Sequence, residues 1–454
     1  MIKNPLRKLK SQTVILTSYL SVGLIGGALL WLPFSNPGQK ICFLDALFTS
    51  TSALCVTGLT VVDTTAYTLI GQILILILIQ AGGLGITTFS VWLFLSLGRD
   101  VGFQSRLFFQ ATFSLRPTDQ LRQLLRLIFM FTFLTEMVGA SLLLSYWIRF
   151  YPFPKALYLS IFHSVSAFCN AGFSLFPENL IKFQDSITVN LTISGLIILG
   201  GIGFPVVYEL IEILNKKIKG SRVRMSLNTR LVLITTFLLT TGGTLLLYGI
   251  EYDNSLERLS FSKGFMVAFF HSVSARTAGF NTIDLGIFTN AVLLVLIILM
   301  FIGASPGSCG GGIKTTTLAI LGGLLYNRLQ GKVRVNLNKR TLPEEIVSRA
   351  IAIFALSCGL VLALTTLILM VESGNIPFPK QPGRLTEILF EVVSAYGTVG
   401  LSLGITSFLA PISKLLIILT MFLGRVGILT LGYALAKREI HRPVLYGEEG
   451  IMIG

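Results

Sequence analysis

Charged residues are scarce in this sequence of 454 residues. Aspartate, glutamate, lysine and arginine make up 13% of the chain, whereas soluble domains carry about 25%. Apolar residues make up 53%, and the mean hydropathy is +0.78. This composition argues against a water-soluble enzyme, whose surface needs far more charge.

Cysteine and histidine are rarer still, with five and three residues. The cysteines lie far apart without a C-x-x-C pair, and the histidines share no ligand spacing with them. We therefore predict neither a disulfide framework nor a zinc site. An intramembrane enzyme would need a nucleophile with a base in reach, and no such set recurs in the sequence. The sequence predicts no enzymatic activity and no cofactor bound by this chain.

Long apolar runs are what the sequence has instead. About 20 consecutive apolar residues span a bilayer, and the chain contains at least seven such stretches. Strands of a membrane β-barrel are about ten residues long with alternating polarity, so runs this long exclude a barrel. The stretch after the basic segment MIKNPLRKLKSQT has no small-residue cleavage pattern, and we interpret it as the first spanning helix. We predict an all-α polytopic membrane protein with about eight spanning helices.

One short phrase occurs four times in the chain. Each copy contains Phe, then Ser-Ala, then Gly followed by an apolar residue. The copies are FTSTSALCVTGL (48–59), FHSVSAFCNAGF (162–173), FHSVSARTAGF (270–280) and FEVVSAYGTVGL (390–401). Their glycines are 107 to 121 residues apart, a length that fits two spanning helices plus a loop.

The flanks of the phrase also repeat. A spanning stretch precedes each copy, near 12–34, 123–148, 231–250 and 350–371, and another follows it, near 70–96, 187–214, 290–325 and 410–437. Between them lies an apolar segment too short to cross, which we interpret as a half-helix that enters the membrane and returns through a Gly-containing loop. This predicts four outer-helix, re-entrant pore loop, inner-helix repeats around one pseudo-fourfold pore. The predicted repeats cover 1–98, 99–215, 216–328 and 329–454.

The basic residues predict the orientation in the membrane. Cytoplasmic loops are enriched in Lys and Arg, and the termini and alternate loops of this chain hold 24 of its 36. Both termini are therefore placed in the cytoplasm, and the four half-helix loops re-enter from outside. This topology explains the net charge of +15 without a nucleic-acid partner.

The Gly-containing loops are the candidate ion site. Non-helical backbone at membrane depth is tolerated only where it is buried in protein or lines a watered cavity. Four such loops can arrange their carbonyls around one axis, and a ring of carbonyl oxygens replaces the hydration shell of a monovalent cation. The alternative, glycines that only permit tight turns or helix packing, explains one copy more readily than four. The candidate filter residues are Val56, Thr57, Gly58, Asn170, Ala171, Gly172, Thr277, Ala278, Gly279, Thr398, Val399 and Gly400.

These residues carry a family resemblance. The segments YGTVG (396–400), SARTAGFNT (274–282), FCNAGFSLF (168–176) and GASPGSCGGGIKTTT (303–317) resemble the Ktr/Trk/HKT superfamily of potassium transporters, over nearly the whole chain. Because no extra helices precede the first unit, the chain is most similar to the Ktr membrane subunit. The resemblance implies potassium uptake across the cytoplasmic membrane, with one filter glycine per repeat. Only the fourth loop reads Thr-Val-Gly, so we expect fewer well-formed sites and weaker discrimination against sodium than in potassium channels.

Two charges and one glycine-rich segment are the candidate gate. Segment 303–317 contains a proline and several glycines, which exclude regular helix. Lys314 and Arg425 are charges in otherwise apolar segments, which makes them functional candidates. The resemblance implies a gate below the filter made of Gly310, Gly311, Gly312, Lys314 and Arg425. The alternatives are that Lys314 extends to the cytoplasmic surface and that Arg425 forms a structural pair. A phosphate-binding loop is disfavoured because Ile313 intrudes before the lysine and no strand precedes the segment.

Three other polar residues have two interpretations each. His163 and His271 occupy equivalent positions in the repeated phrase, so inheritance from a duplicated unit explains them without chemistry. The alternative is a proton or ion relay. Arg276 flanks the third loop and either pairs with a loop acid such as Asp63 or Glu391 or acts on the ion.

A sodium-coupled symporter is the main rival to a simple pore. It would need a second site of clustered carboxylates or hydroxyls, and none is identified in the sequence. Glu136 either contacts a polar neighbour such as Thr132 or Thr135 or binds a coupling ion.

The basic loops 216–230 and 328–349 either serve orientation alone or form a docking face. The resemblance implies a soluble ring of nucleotide-binding regulatory subunits there, and a homodimer in which the C-terminal segment VLYGEEGIMIG takes part. Potassium is the expected substrate, and sodium is the candidate activator. The chain has no ATP-binding motif, so we expect ion gradients or membrane potential to supply the energy. For cation entry the potential supplies about 2.3 kcal/mol per charge per 100 mV.

Overall fold

The structure is predominantly helical. The computed structural model describes residues 11–85, 119–220, 224–374 and 376–427, and within these ranges the chain forms fourteen α-helices and one two-stranded hairpin. The helices are α1 Ser11–Trp31, α2 Phe43–Cys55, α3 Leu69–Leu84, α4 Asp119–Trp147, α5 Phe153–Phe168, α6 Ile187–Ile202, α7 Phe204–Ile218, α8 Leu227–Glu251, α9 Phe261–Ser274, α10 Asn290–Phe301, α11 Thr315–Leu329, α12 Glu344–Ser373, α13 Arg384–Gly397 and α14 Pro411–Val426. The strands are β1 Asn336–Leu337 and β2 Arg340–Thr341, which pair antiparallel.

One order of elements recurs along the chain. A long helix (α1, α4, α8 or α12) packs against the short helix that follows it (α2, α5, α9 or α13), and a further helix (α3, α6, α10 or α14) comes next. Each of these further helices also packs against the short helix of the following set, and α14 packs against α2. The packing therefore forms a closed ring that joins the end of the described chain to its beginning.

Several helices are suited to a bilayer. Among the described residues, Leu125–Trp147, Leu227–Glu251 and Glu344–Ser373 are long and apolar enough to cross a membrane, and α6 with α7 forms a bent candidate. Shorter apolar helices include α3 and α10. Large apolar side chains on the long helices face outwards, with Phe237 of α8 68% exposed. Such faces suit contact with lipid, and the count of about eight spanning helices stays a prediction.

The predicted inner helices are shorter than the hydropathy indicated. The stretch near 187–214 was expected to be one helix, but it bends by 93° between α6 and α7. Gly203, with a φ of 98°, lies at this bend, because its backbone conformation is one that residues with a Cβ rarely adopt. The stretch near 290–325 breaks after Phe301, as the glycine-rich segment predicted, but Thr315–Thr317 form the first turn of α11. The irregular segment is therefore 303–314, which we call the 303–314 loop.

Parts of other predicted segments fall outside the described residues. They are the N-terminal basic segment 1–10, the continuation of the first inner helix through 86–96, the loop that contains Arg99, and everything after Gly427, including the C-terminal segment VLYGEEGIMIG.

The phenylalanine that opens each repeated phrase belongs to the core. Phe48, Phe162, Phe270 and Phe390 have no exposed surface. Each lies on a short helix at the centre of the molecule, where an aromatic ring buries a large apolar area. The repeated phrase therefore contains packing residues as well as a loop.

Candidate functional site

The four loops that follow the short helices have an unusual backbone. We call residues 56–58, 170–172, 277–279 and 398–400 the first to fourth Gly loops. The first residue of each has a positive φ, which is 57° at Val56, 59° at Asn170, 74° at Thr277 and 50° at Thr398. The third residue, glycine, also has a positive φ, between 70° and 95°. A β-branched residue such as Val56 rarely adopts this conformation, so the surrounding structure must hold the loops in place.

The loop glycines face one another in a closed cycle. A Cβ built on any of them would lie 2.8 Å or less from the carbonyl oxygen of the middle residue in the next loop. The pairs are Gly58 with Ala171, Gly172 with Ala278, Gly279 with Val399 and Gly400 with Thr57. The four loops therefore meet around one axis, in chain order, with no room for a side chain at the four glycine positions.

The serine of each Ser-Ala pair anchors its loop. The hydroxyls of Ser52 and Ser394 accept hydrogen bonds from the N–H of the loop glycine, at 3.1 and 3.0 Å. The hydroxyls of Ser166 and Ser274 instead donate to the carbonyl of the phenylalanine after the glycine. All four serines are fully buried. The first loop is therefore built like the fourth, and the second like the third.

A polar cavity of about 260 Å³ touches all four loop glycines. Asp63 and Glu178 line it, and no basic residue is among its lining residues. The side chain of Asn179 lies in its wall and donates a hydrogen bond to the carbonyl of Gly279 at 3.4 Å. Acidic groups in a narrow cleft raise the local concentration of cations, so the cavity favours cations at the ring.

The glycine nodes of the inner helices have a packing role. A Cβ built on Gly82, Gly200 or Gly424 would fall on a backbone carbonyl oxygen at the end of a short helix. These oxygens belong to Leu54, Phe168 and Tyr396 respectively. Only glycine allows this approach, which packs α3, α6 and α14 against the negative, carbonyl ends of α2, α5 and α13.

The 303–314 loop lies directly against the third and fourth Gly loops. A Cβ built on Gly310 would collide with the side chain of Thr277, and one on Gly311 would lie 2.5 Å from the hydroxyl oxygen of Thr398. The N–H of Gly311 donates a hydrogen bond to that oxygen at 2.9 Å. The structure thus brings the predicted gate glycines into contact with the predicted filter.

The same loop also joins the break between α6 and α7. The N–H of Cys309 donates to the carbonyl of Gly200 at 3.2 Å, and the N–H of Phe204 donates to the carbonyl of Gly307 at 2.9 Å. Backbone groups at the break between α6 and α7 therefore hold the irregular backbone of the 303–314 loop by hydrogen bonds.

The two cations proposed for the gate, Arg425 and Lys314, both bind this loop. Arg425 donates hydrogen bonds to the carbonyl oxygens of Cys309 and Gly82. The ammonium of Lys314 donates to the carbonyl of Gly310 at 2.7 Å. Lys314 therefore turns onto the loop and not away from it, and Arg425 binds two backbone carbonyls as well as the side chain of Tyr19.

His163 and His271 have structural partners. The Nδ1 atoms of their rings donate to the carbonyls of Leu159 and Val267, at 2.8 and 2.9 Å. This leaves Nε2 of His163 free to accept from the N–H of Leu175 at 3.3 Å, a residue that follows the second Gly loop. Both rings are fully buried, and these contacts favour the structural interpretation.

The predicted partners of Arg276 and Glu136 are wrong. No ion pair among the described residues includes Arg276, although it is 7% exposed. Asp63 lines the cavity, and Glu391 accepts a hydrogen bond from Thr406.

Glu136 likewise forms no hydrogen bond with either of the threonines proposed for it. Its carboxylate accepts a hydrogen bond from Gln80 of α3 at 3.3 Å. The hydroxyl of Thr135 donates instead to the carbonyl of Phe131, one helical turn back. The prediction considered only neighbours within one helical turn, whereas the actual partner, Gln80, lies 56 residues away in the chain.

Sequence reasoning also missed the roles of the repeated serines and of the Thr398–Gly311 contact. The serines had a usable signal, since they recur in all four phrases. No sequence signal indicated the Thr398–Gly311 contact, because the two residues are 87 positions apart in the chain.

Comparison with known proteins agrees with this architecture. The family model described as "TrkH: Cation transport protein" matches residues 3–441. The chain is 36% identical to the potassium/sodium uptake protein NtpJ of Enterococcus hirae, over 100% of this chain and 99% of that protein. It is 36% identical to the Ktr system potassium uptake protein B of Bacillus subtilis, over 94% of this chain and 93% of that protein. It is 37% identical to the protein of the same name from Vibrio alginolyticus, over 97% and 94%.

A solved structure shows a similar fold. The potassium transporter TrkH from Vibrio parahaemolyticus matches with a TM-score of 0.71 and 20% identity, over 96% of this chain and 86% of that one. Since the family model covers nearly the whole sequence and full-length relatives exceed 30% identity, the chain belongs to the TrkH family of cation transport proteins.

Proposed function

We propose that this chain takes up potassium as the ion-translocating membrane subunit of a Ktr-type system, passing cations in single file through the four Gly loops. The closed cycle of loop glycines is the observation that carries this proposal. The names of the Bacillus and Vibrio relatives, potassium uptake proteins of Ktr systems, support the substrate.

The backbone carbonyls of the Gly loops are the proposed ligands. A ring of carbonyl oxygens can replace the hydration shell of a potassium ion. The positive φ of the first and third residues in every loop sets the direction of these carbonyls. The ligands come from Val56, Thr57, Gly58, Asn170, Ala171, Gly172, Thr277, Ala278, Gly279, Thr398, Val399 and Gly400.

The 303–314 loop is the proposed gate. Its contacts with Thr277 and Thr398 place it against one side of the ring, and the acidic cavity touches the glycines. Arg425 holds it to α3 and α14 in the state described. Gly310, Gly311 and Gly312 provide the flexible backbone, and the positive heads of Arg425 and Lys314 repel cations while the loop is in place.

The proposal also covers the membrane topology of the chain and its partner subunits. We place the chain in the cytoplasmic membrane with about eight spans, both termini in the cytoplasm and repeats at 1–98, 99–215, 216–328 and 329–454. A homodimer bound to a cytosolic ring of nucleotide-binding regulatory subunits is the proposed functional unit, since the relatives are named as parts of Ktr systems. Sodium is the proposed activator.

A sodium-coupled or less selective cation transporter of the Trk/HKT type is the second candidate. One observation favours it: the first positions of the Gly loops carry Val56, Asn170, Thr277 and Thr398 and so are chemically unequal. The Enterococcus relative is named for both potassium and sodium.

Rubidium uptake tests the filter. We would express the chain in cells that lack their own potassium uptake and compare Gly400→Ser with Gly404→Ser at equal membrane abundance. Both glycines have a positive φ, but a Cβ at Gly404 meets no atom within 4 Å. Uptake that is lost or becomes sodium-permeable only in Gly400→Ser supports the filter. Equal behaviour of the two variants contradicts it.

A deletion tests the gate. Removing residues within 308–313 takes away the contacts to Thr398 and Arg425 and should raise the maximal rate of uptake. Unchanged flux at equal abundance would show that the loop does not gate.

A further inference from the structure

A second cavity lies at one end of the helix bundle, apart from the Gly loops. Its volume is about 620 Å³, and it is bounded by the end of α11, the β1–β2 hairpin and the first turns of α12. It shares no lining residue with the cavity that touches the loop glycines. The proposed ion path therefore does not use it.

The walls of this cavity, which we call the hairpin cleft, are held together by hydrogen bonds and packing. The side-chain amide of Asn327 in α11 donates to the carbonyls of Gly323 and Asn336, at 2.7 and 3.0 Å. The N–H of Lys332 donates to the carbonyl of Asn327 at 2.9 Å. Leu337 packs on Gly323, where an added Cβ would lie 2.6 Å from its side chain. The cleft is therefore a fixed feature of the fold.

The hairpin cleft carries surplus positive charge. Arg328 and Arg334 line it, and the segment 328–340 contains five basic residues and no acid. None of the five forms an ion pair with any residue that the structure describes. The one acid among the lining residues, Glu344, lies in the first turn of α12, where it complements the positive end of the helix. An anionic ligand in the cleft would therefore meet two arginines that form no ion pair within this part of the chain.

Most of the remaining lining is apolar and extends along a membrane helix. The apolar lining residues include Leu324, Val335, Val347, Val333 and Ile351, and the last two are 74% and 45% exposed. Ile351 lies near the start of α12, which is long and apolar enough to cross a membrane. A surface that is basic at one end and apolar along a membrane helix matches an amphipathic ligand, whereas inorganic phosphate would use only the arginines.

We infer that the hairpin cleft binds an anionic phospholipid, with the phosphate at Arg328 and Arg334 and the acyl chains along α12. Guanidinium groups match phosphate oxygens in geometry and charge, and basic pockets beside membrane helices recognise anionic head groups. Anionic lipids give the cytoplasmic leaflet a negative surface, which agrees with the predicted orientation of this basic loop. The inference goes beyond the proposed function, and lipid binding can be measured without ion flux.

Lipid binding to the purified full-length chain tests this inference. The chain is delipidated in detergent and titrated with dioleoyl phosphatidylglycerol, and native mass spectrometry counts the bound lipid. Arg328→Gln combined with Arg334→Gln removes both proposed phosphate ligands. Lys339→Gln combined with Arg340→Gln is the matched control, because it removes the same charge from the same segment at residues that do not line the cleft.

The Arg328/Arg334 double variant should bind phosphatidylglycerol at least about tenfold more weakly, because it loses charge-assisted hydrogen bonds to the phosphate. The control should bind it as the wild type does, and dioleoyl phosphatidylcholine, which has no net charge, should bind the wild type more weakly. Equal weakening in both double variants, or equal binding of the two lipids, would overturn the inference and leave the basic loop as an orientation signal.

Two further measurements separate lipid binding from other causes. All three proteins should have the same Tm without lipid, and phosphatidylglycerol should raise the Tm of the wild type and the control only, since a ligand of the folded state stabilises it. A Tm rise in the Arg328/Arg334 variant equal to that of the wild type would contradict the site. Displacement of phosphatidylglycerol from the wild type by inorganic phosphate would show a free-anion site instead of a lipid site.

Discussion

Arg425 donates a hydrogen bond to the carbonyl oxygen of Cys309, a residue 116 positions earlier in the chain. A second hydrogen bond from the same guanidinium reaches the carbonyl of Gly82 on α3. One side chain therefore ties α14 and α3 to the 303–314 loop. Two donors on a planar group suit this task, since a lysine offers only a compact point charge.

Replacing this arginine should loosen the gate. Arg425→Ala removes two charge-assisted hydrogen bonds, each contributing about 1.5–3 kcal/mol, so we expect the maximal rate of rubidium uptake to rise at least about tenfold. Arg425→Lys should be intermediate because one ammonium does not span both carbonyls. Lys414→Ala is the control, since it removes a cation of the same helix that pairs with Asp45 at 2.8 Å. Wild-type rates in Arg425→Ala would count against the gate.

The glycine node of α6 should be intolerant of a methyl group. Gly200→Ala places a Cβ on the carbonyl oxygen of Phe168, and overpacking of this kind costs about 1–3 kcal/mol. Gly195→Ala lies on the same helix with no atom within 4 Å of the new Cβ and should be neutral or stabilising by up to about 1 kcal/mol. Thermal unfolding in detergent measures both. A lower Tm for both variants alike would mean that the collision is not the cause.

The buried serine of the fourth phrase should control selectivity. Ser394→Ala leaves the N–H of Gly400 without its acceptor, which costs about 1–3 kcal/mol and frees the loop backbone. We expect sodium to compete more effectively with rubidium uptake in this variant. Ser141→Ala is the control, because this exposed serine on α4 bonds only to the carbonyl of Met137. Unaltered sodium competition in Ser394→Ala would show that the anchor is dispensable.

His163 should affect stability and not ion choice. His163→Ala removes a buried ring that stacks on Phe176, with centroids 4.9 Å apart, and that accepts from the N–H of Leu175. Loss of a large core side chain costs about 3–5 kcal/mol, so the Tm should fall clearly. The ratio of potassium to sodium in the remaining uptake should not change. A changed ratio at normal abundance would favour an ion relay instead.

The features that were predicted well are those that occur more than once in the sequence. The phrase around Gly58 recurs near Gly172, Gly279 and Gly400, so a loop that is ambiguous in one copy becomes specific in four. The irregular backbone after Phe301 was likewise predictable, since proline and clustered glycines disfavour helix wherever they lie.

The parts predicted poorly depend on contacts between distant segments. A loop acid was one of the two interpretations of Arg276, but no ion pair among the described residues includes it. Glu136 bonds to Gln80 of another helix and not to a threonine of its own. The bend at Gly203 was hidden because hydropathy reports whether a stretch is apolar and not whether its backbone is straight.

The sequence by itself determined that this is a helical membrane protein with four related loops, because apolar length and repeated short motifs are local properties of the chain. Only the tertiary structure decided that the loop glycines close into a ring, that Gly311 caps Thr398 and that Arg425 joins three elements. Each of these relationships depends on how backbone groups meet across the ring of packed helices, and nothing in the spacing of residues along a chain encodes such distances.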